Sequence, residues 1–122
     1  MRVVVFGGRE FTNQKLAFKA LDILHKKYKF TCVIDGAARG ADTLGYRWAK
    51  SRGVPTERYA ANWAKYGAIA GPLRNRRMIE DGKPDMGVAF PGGKGTANMK
   101  AQMKKAGIRV HVVIPVGYKR KK

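Results

Sequence analysis

Short apolar runs alternate with segments of helical periodicity along most of the chain, and this alternation limits the folds open to it. Apolar runs at 3–6 (VVVF), 30–34 (FTCVI), 86–90 (MGVAF) and 108–114 (IRVHVVI) are predicted strands, and the more polar 56–60 (TERYA) is a predicted edge strand. Strands that alternate with helices form a parallel sheet covered on both faces. The sequence therefore predicts an α/β fold, a single Rossmann-like three-layer sandwich with about five mainly parallel strands and helices on both faces.

Helices are predicted between these strands, where apolar residues recur every three or four positions. Thr12 or Asn13 is the expected cap of the first helix, because both side chains accept hydrogen bonds from free backbone amides. Residues 62–72 (NWAKYGAIAGP) are predicted to form a long loop, a type of segment that often carries function. The predicted helices are 12–29, the segment through Leu44, Trp48 and Ala49 that ends at Gly53, 73–81, and 96–106.

Charge is the most unusual property of the composition. The 122 residues include 26 Lys or Arg and 8 Asp or Glu, which gives a formal net charge of +18 at pH 7. Small domains usually carry about 2–8 units, so this excess predicts an anionic partner. Residues 86–122 contain nine Lys or Arg and no acid. We expect one domain at 1–117 and a basic tail at 118–122, which either keeps the protein in solution or attracts nucleic acid weakly.

The cysteine, histidine and apolar content argues against several protein classes. Cys32 is the only cysteine and lies in a predicted strand, so we expect a buried thiol and no disulfide. No apolar stretch approaches the roughly 20 residues of a membrane span, and no signal peptide is recognisable. His25 and His111 show no metal-ligand spacing, so neither a metal nor a cofactor is expected. These features predict a cytoplasmic protein that does not bind a membrane.

Three glycine-rich segments, at 7–8, 36–40 and 92–95, each follow a predicted strand. Because the carboxyl ends of parallel strands lie on one rim of a sheet, these segments are expected to build one binding crevice. PGGKGT at 91–96 matches neither the Rossmann fingerprint nor the P-loop. It nevertheless places glycines, a lysine and a threonine hydroxyl at a helix start, where free amides and the helix dipole favour phosphate. The candidate ligand-binding residues of the chain are Gly7, Gly8, Arg9, Phe11, Gly36, Arg39, Gly40, Asp42, Trp63, Arg74, Asn75, Gly92, Gly93, Lys94, Gly95 and Thr96.

Several of these candidates have a structural interpretation beside the functional one. Arg9 binds phosphate or pairs with Glu10, and Phe11 stacks on a base or packs against the first helix. Asp42 is either a helix cap or an acceptor for a ribose hydroxyl. Trp63 belongs either to the core or to a lid that stacks on a base. Both interpretations stay open at this point for each residue.

The short helix after Pro72 contributes the last candidates. With a helix start near Pro72, Arg74, Asn75 and Met78 share one face, whereas the arginines at 76–77 point toward acids one turn later. Arg74 is therefore the better site candidate. Tyr66, like Trp63, has a core and a lid interpretation.

The segments GGREF, DGAARGAD, WAKYGAIAGPLRNRRM and PGGKGT occur in this order between residues 7 and 96. As a set they resemble the SLOG superfamily, specifically its YspA-like, cpYpsA-related branch of small phage and bacterial proteins. The resemblance implies a Rossmann-like fold that binds a nucleotide or nucleotide-derived ligand. It also implies that the glycines and threonine of 92–96 hold phosphate and that the glycines at 7–8, 36 and 40 form the pocket floor.

One departure from the superfamily bears on catalysis. The related lonely-guy phosphoribohydrolases carry PGGxGTxxE, whose final Glu is catalytic, whereas the corresponding residue here is Met99. Their catalytic arginine lies in an R-x-x-x-M pattern that Arg74 to Met78 matches. A thioether neither moves a proton nor stabilises an oxocarbenium-like sugar, so half of the catalytic pair is missing and no catalytic residue is assigned.

The leading prediction is therefore a binding protein for a nucleotide-derived small molecule, acting as a sensor or sequestering its ligand. A first alternative is a phosphoribohydrolase-type enzyme that uses Glu10, Asp42 or a substrate group in place of the missing glutamate. A second is binding of single-stranded nucleic acid in the manner of the superfamily member DprA, which the net charge favours. The resemblance further implies a homo-oligomer.

Overall fold

The computed structural model describes residues 1–115, so the predicted tail at 118–122 and the domain boundary at 117 lie outside the described residues. Strands and helices alternate along this part of the chain as the sequence predicts. The strands are Arg2–Phe6 (β1), Cys32–Asp35 (β2), Thr56–Arg58 (β3), Met86–Ala89 (β4) and Arg109–Val112 (β5). The helices are Gln14–Tyr28 (α1), Ala41–Arg52 (α2), Trp63–Tyr66 (α3), Ala70–Glu80 (α4) and Lys94–Lys105 (α5), with a 3₁₀ helix at Gly67–Ile69.

All strand pairs in the sheet are parallel, and the strand order is β3-β2-β1-β4-β5. The chain therefore proceeds outward from β1 to β3 and then crosses back to place β4 on the other side of β1. The gap between the carboxyl ends of β1 and β4 is the topological switch point, where open α/β sheets bind their ligands. The prediction that 56–60 contains an edge strand is confirmed.

Side chains of β1 alternate between two apolar cores, one on each face of the sheet. Val3 and Val5 pack with buried residues of α1 and α2. Val4 and Phe6 pack with buried residues of α4 and α5. Helices thus cover both faces, and the predicted three-layer sandwich is confirmed.

Residues 62–72 do not form the long loop that the sequence predicts. They contain α3, the 3₁₀ helix and the first turn of α4. Asn62 caps α3 by accepting a hydrogen bond from the Lys65 amide at 3.1 Å. Pro72 lies in the first turn of α4, where its missing N–H has no partner to lose. The glycines and the proline that indicate a loop are therefore compatible with two short helical segments.

Two helix starts also bear on the sequence predictions. Asn13, rather than Thr12, caps α1, and its side chain accepts from the Leu16 amide at 3.1 Å. Helix α5 begins at Lys94, two residues before the predicted start at 96. The glycine-rich segment therefore forms the first turn of the helix as well as the loop before it.

Candidate functional site

A cleft of about 630 Å³ opens at the switch point, between the loops that follow β1 and β4. Its floor and apolar wall include Phe6, Met78 and Met99, and the first turn of α5 forms one side. Small-molecule sites typically occupy about 300–1,000 Å³ and combine an apolar wall with a few polar groups. The size and lining of this cleft match that description.

The loops after β1 and β4 touch through their backbones beside the cleft. The Gly8 amide donates to the Pro91 carbonyl at 2.8 Å. A Cβ atom on Gly92 would lie 2.6 Å from the Gly8 nitrogen, and one on Gly8 would lie 2.8 Å from the Pro91 oxygen. Any side chain at Gly8 or Gly92 would therefore push the two loops apart, so both glycines have a structural role.

The start of α5 presents unpaired amides to the cleft. The first bond inside the helix is donated by Ala97 to the Gly93 carbonyl at 3.0 Å, so the amides of residues 94–96 have no carbonyl partner within the helix. Gly93 and Gly95 line the cleft, and a Cβ atom at either would meet nothing within 4 Å. Free amides, the positive end of the helix dipole and open space make this turn suitable for an anion.

Arg74 also lines the cleft, half-buried between α4 and the loop after β2. Its guanidinium donates to the Gly36 carbonyl and to the Asn75 side-chain oxygen, the latter at 3.0 Å. Burial lowers the pKa of Arg74, and the nearby positive charge of Arg9 lowers it further. The carboxylates of Asp42 and Asp35 act in the opposite direction. This arrangement fixes the orientation of a cation that lines the cleft.

Arg9 is held at the mouth of the cleft by an aromatic ring. Its guanidinium carbon lies 5.2 Å from the centre of the Trp63 ring, within the range of a cation–π contact. The suggested ion pair with Glu10 is wrong, because Glu10 pairs with Arg39 at 2.6 Å. Within residues 1–115 Arg9 forms no salt bridge, so its charge is available to an anion.

Asp42 is 4% exposed and supplies the only carboxylate among the described residues that line the cleft. It accepts a hydrogen bond from the Gly36 amide at 2.9 Å. The cap interpretation is wrong, since Gly40 occupies the N-cap of α2 and Asp42 braces the preceding loop instead. Burial, followed by the nearby Asp35 charge, raises the pKa of Asp42 to about 6, although Arg74 and two backbone amides favour its ionised form.

The raised pKa of Asp42 predicts a specific pH dependence of stability. Because the folded state holds the proton to a higher pH than the unfolded chain, Asp42 destabilises the fold as pH rises from about 4 to about 6. Asp42→Asn is expected to be more stable than the parent at pH 7, by about 3 kcal/mol, and the difference should vanish below pH 4. Urea unfolding of both proteins from pH 3.5 to 7.5 measures it. A difference that is flat with pH, or grows toward low pH, contradicts the prediction.

A second buried carboxylate, Asp35, shapes the loop after β2 from outside the cleft. It accepts from the Ala37 amide at 2.7 Å and from Arg58 at 3.0 Å. Burial raises the pKa of Asp35, and these two partners oppose the shift. The Arg58 guanidinium in turn lies 4.1 Å from the centre of the Tyr46 ring. Asp35 thus connects the loop to β3 and to α2.

A polar contact between α4 and α5 positions the first turn of α5. The buried Asn75 donates to the Asn98 side chain at 3.1 Å and to the Gly95 carbonyl at 3.3 Å. Gln102 also donates to Asn98, at 2.7 Å. Asn98 is not among the residues predicted from the sequence, although its spacing of one turn from Gln102 places both amides on one side of α5.

The structure also decides the interpretations of the aromatic candidates. Phe11 stacks on Phe90 with ring centroids 5.0 Å apart, so it packs in the core and is not free to stack on a base. Trp63 and Tyr66 are 46% and 42% exposed, which excludes the core interpretation for both. Trp63 lines the cleft, and Tyr66 lies three residues later at the end of α3.

The cleft brings together most, but not all, of the candidate residues. Phe11, Gly40 and Gly92 line no described cavity and act within the fold. Gly36 and Arg39 line a smaller neighbouring cavity. The cleft also includes Ala68 and Gly71, which sequence reasoning missed because they lie in the segment taken for a loop. The candidates that line the cleft are Gly7, Gly8, Arg9, Asp42, Trp63, Arg74, Asn75, Gly93, Lys94, Gly95 and Thr96.

Clusters of metal-ligand side chains and membrane-spanning helices are both absent from residues 1–115. Within that range no group of three or more His, Cys, Asp or Glu side chains is arranged to hold a metal ion. None of the helices described there has both the length and the apolar character to cross a membrane.

Comparison with known proteins agrees with this architecture. A family model described as YspA, cpYpsA-related SLOG family matches residues 1–66. The Gene 61 protein of Mycobacterium phage D29 is 37% identical over an alignment of 117 residues, and the match covers 89% of this chain and 93% of that protein. The chain belongs to the YspA, cpYpsA-related SLOG family. Membership of the SLOG family suggests a nucleotide-related ligand. The name of the phage protein indicates no function.

The position of Met99 bears on whether this cleft contains a proton-transferring side chain. Met99 is 1% exposed, lines the cleft and packs with Met78 and Met103 in the core beneath α4 and α5. A carboxylate at this position would be buried among methionines. The side chain therefore extends the apolar wall, and no proton-transferring group occupies its place.

Proposed function

We propose that this protein binds a nucleotide or nucleotide-derived ligand in the switch-point cleft and does not cleave it. The phosphate lies at the first turn of α5, against the amides of residues 94–96. Arg9 and Arg74 face the anion from the opposite side, and the exposed Trp63 ring stacks on the base. The protein then acts as a sensor or sequesters its ligand.

The convergence of a helix amino terminus and two arginines on one apolar cleft carries this proposal. Each feature by itself has a structural explanation, but the three together meet the charge, shape and polarity requirements of a phosphorylated nucleoside. Gly93 and Gly95 leave space for close approach of the phosphate. The apolar wall, which includes Met78 and Met99, matches the face of a base.

Thermal unfolding with paired ligands tests the proposal. AMP, ADP and ADP-ribose are compared with adenosine, and inorganic phosphate at equal ionic strength controls for general anion binding to a chain of net charge +18. A nucleotide at 100 times its dissociation constant is expected to stabilise the fold by about 2.7 kcal/mol, while adenosine stabilises it little. If the nucleotides stabilise the protein no more than inorganic phosphate does, nucleotide binding is refuted. If adenosine stabilises it as much as the nucleotides do, recognition through the phosphate is refuted.

The same samples distinguish binding from hydrolysis. Asp42 is the single carboxylate in the described cleft lining, and Glu10 is engaged with Arg39 on the surface. We expect no release of adenine from AMP by chromatography after incubation with the protein. Release that is abolished by Asp42→Asn would instead establish the enzyme alternative.

Lysine distribution supports a second candidate function, binding of single-stranded nucleic acid. Every salt bridge within residues 1–115 uses an arginine, so the lysines described there remain without an acidic partner. From residue 86 onward no acid is present to offset them. Lys100, Lys104 and Arg109 line a shallow groove of about 440 Å³ between α5 and the sheet edge at β5. We propose this groove as the place where a phosphate backbone would contact the protein.

Salt dependence measures that contact. Each neutralised phosphate of a single strand contributes about −0.7 to the slope of log affinity against log salt. Lys100→Gln combined with Lys104→Gln is therefore expected to reduce the slope for an oligothymidine by about 1.4. Lys15→Gln combined with Lys19→Gln, on exposed positions of α1, is the charge-matched control. Equal slopes for the two double variants mean that the groove holds no strand.

A further inference from the structure

A second cavity of about 370 Å³ adjoins the cleft, between the loops that follow β2 and β3. Small residues line much of it, including Gly36, Ala60 and Ala61. Its volume lies within the range of sites that hold a small ligand or half of a larger one. The two cavities share the lining residues Arg9, Ala38, Trp63 and Arg74.

The shared wall is cationic. Burial lowers the pKa of Arg74 and the nearby charge of Arg9 lowers it further, whereas the carboxylates of Asp42 and Asp35 raise it. Neither arginine forms a salt bridge within residues 1–115. Arg74 is half-buried and Arg9 beside it is exposed. An anion between two neighbouring cations would relieve their repulsion. The junction of the cavities therefore favours a second phosphate of the same ligand, next to the one at α5.

We propose that the cleft and the second cavity form one bipartite site for a two-headed nucleotide, in which a phosphate bridge joins two sugar-containing halves. One half occupies the cleft, the bridge passes Arg9 and Arg74, and the second half lies against Ala60 and Ala61. This inference rests on the proposed function, because it assigns the class of ligand to the same cleft. A mononucleotide would fill the cleft and leave the second cavity empty.

The wall residues also explain how the bridge would be held. Arg74 is anchored to the Gly36 carbonyl at the edge of the second cavity, so its position is fixed before a ligand arrives. Trp63 supports Arg9 from the other side, with 5.2 Å between the guanidinium carbon and the ring centre. A preorganised pair of cations binds a phosphate bridge without first ordering two long side chains.

ADP-ribose and ADP form the decisive pair of probes, because they share the adenosine diphosphate and differ by the second ribose. Cyclic di-AMP, compared with AMP, tests the same class with a phosphodiester bridge. Calorimetric titration of the full chain is expected to show at least one two-headed probe binding about tenfold more tightly than its one-headed partner.

Ala61→Leu fills the second cavity without changing the lining of the cleft. It is expected to remove the excess affinity of the two-headed probe and to leave ADP binding within about twofold. Ala60→Leu replaces it if Ala61→Leu fails to fold. Ala101→Leu, on an exposed position of α5 outside both cavities, is the size-matched control and is expected to change neither affinity.

The outcomes separate the inference from the proposed function. Tighter binding of a two-headed probe that is lost in Ala61→Leu supports the bipartite site. Equal affinity for ADP and ADP-ribose and for AMP and cyclic di-AMP overturns it while leaving nucleotide binding intact, and so does excess affinity that survives Ala61→Leu and Ala60→Leu. Failure of every nucleotide to bind overturns the proposed function itself.

Discussion

Arg74→Ala is expected to weaken binding of the best nucleotide ligand by about 30-fold or more. Arg74 lines the cleft together with the first turn of α5. Removal of a well-oriented, half-buried arginine at the centre of a site typically costs about 2 kcal/mol or more. Its anchor to the Gly36 carbonyl and to Asn75 fixes the guanidinium before the ligand arrives. The affinity of Arg74→Lys is expected to lie between those of the parent and of Arg74→Ala. Lysine keeps the positive charge but lacks the planar guanidinium that donates two parallel hydrogen bonds.

Arg76→Ala is the control for this variant. Arg76 lies on the same helix but is exposed and pairs with Glu80 at 2.7 Å, away from the cleft. Calorimetric titration should give the parent affinity for Arg76→Ala, and thermal unfolding should show that both variants fold. Equal affinity of Arg74→Ala and Arg76→Ala would remove Arg74 from the binding site.

Gly92→Ala and Gly93→Ala are expected to fail in different ways, although the residues are neighbours. A Cβ atom at Gly92 collides with the Thr96 hydroxyl and with the Gly8 amide nitrogen, so this variant should lose about 3 kcal/mol of unfolding free energy. A Cβ atom at Gly93 meets no protein atom within 4 Å, so stability should change by less than about 0.5 kcal/mol. In the proposed site the phosphate approaches through this open space, so nucleotide affinity should fall about tenfold or more.

Urea unfolding and calorimetric titration of the two variants separate structural from binding glycines. Gly95→Ala provides a third comparison. A Cβ atom at Gly95, as at Gly93, meets no protein atom within 4 Å, but Gly95 lies inside the first turn of α5. Alanine should stabilise the helix there by up to about 1 kcal/mol and still reduce affinity. A Gly93→Ala protein that binds nucleotides as well as the parent contradicts the assignment of phosphate to this turn.

The sheet and the location of the cleft follow from local sequence patterns. Continuous apolar runs identify β1, β2 and β4, and a glycine segment after each of them identifies the carboxyl rim. These signals are local because a buried parallel strand requires apolar side chains on both faces. The crossing between β3 and β4 is the step that turns the rim into a crevice, and it follows from the general behaviour of α/β sheets rather than from any one residue.

The sequence does not predict which residues contact each other across the fold. Arg39 pairs with Glu10 across 29 positions, whereas the adjacent Arg9 is the partner that proximity in sequence suggests. Ala60 and Ala61 line a cavity because they are small, and a small side chain carries no signal of its own. Pro72 indicates a loop unless the register of the helix start is known, since proline is acceptable only in the first turn.

The chemistry of the cleft was predictable from the sequence only in part. The glycines at the start of α5 were predicted as a phosphate site from sequence, and the structure places Gly93, Gly95 and Thr96 on the cleft. The same pattern did not distinguish Gly92, which packs against the loop after β1. That distinction required atomic distances, because both glycines read identically in PGGKGT.

A nuclear magnetic resonance titration of the full chain with ADP, and separately with adenosine, tests phosphate binding at α5 most directly. We predict that the amide signals of Lys94, Gly95 and Thr96 shift saturably with ADP, with a common dissociation constant, and move little with adenosine. Amide shifts confined to lysine-bearing surfaces away from the cleft, with residues 93–96 unchanged at saturating ADP, would contradict the proposal that this turn holds the phosphate of a nucleotide.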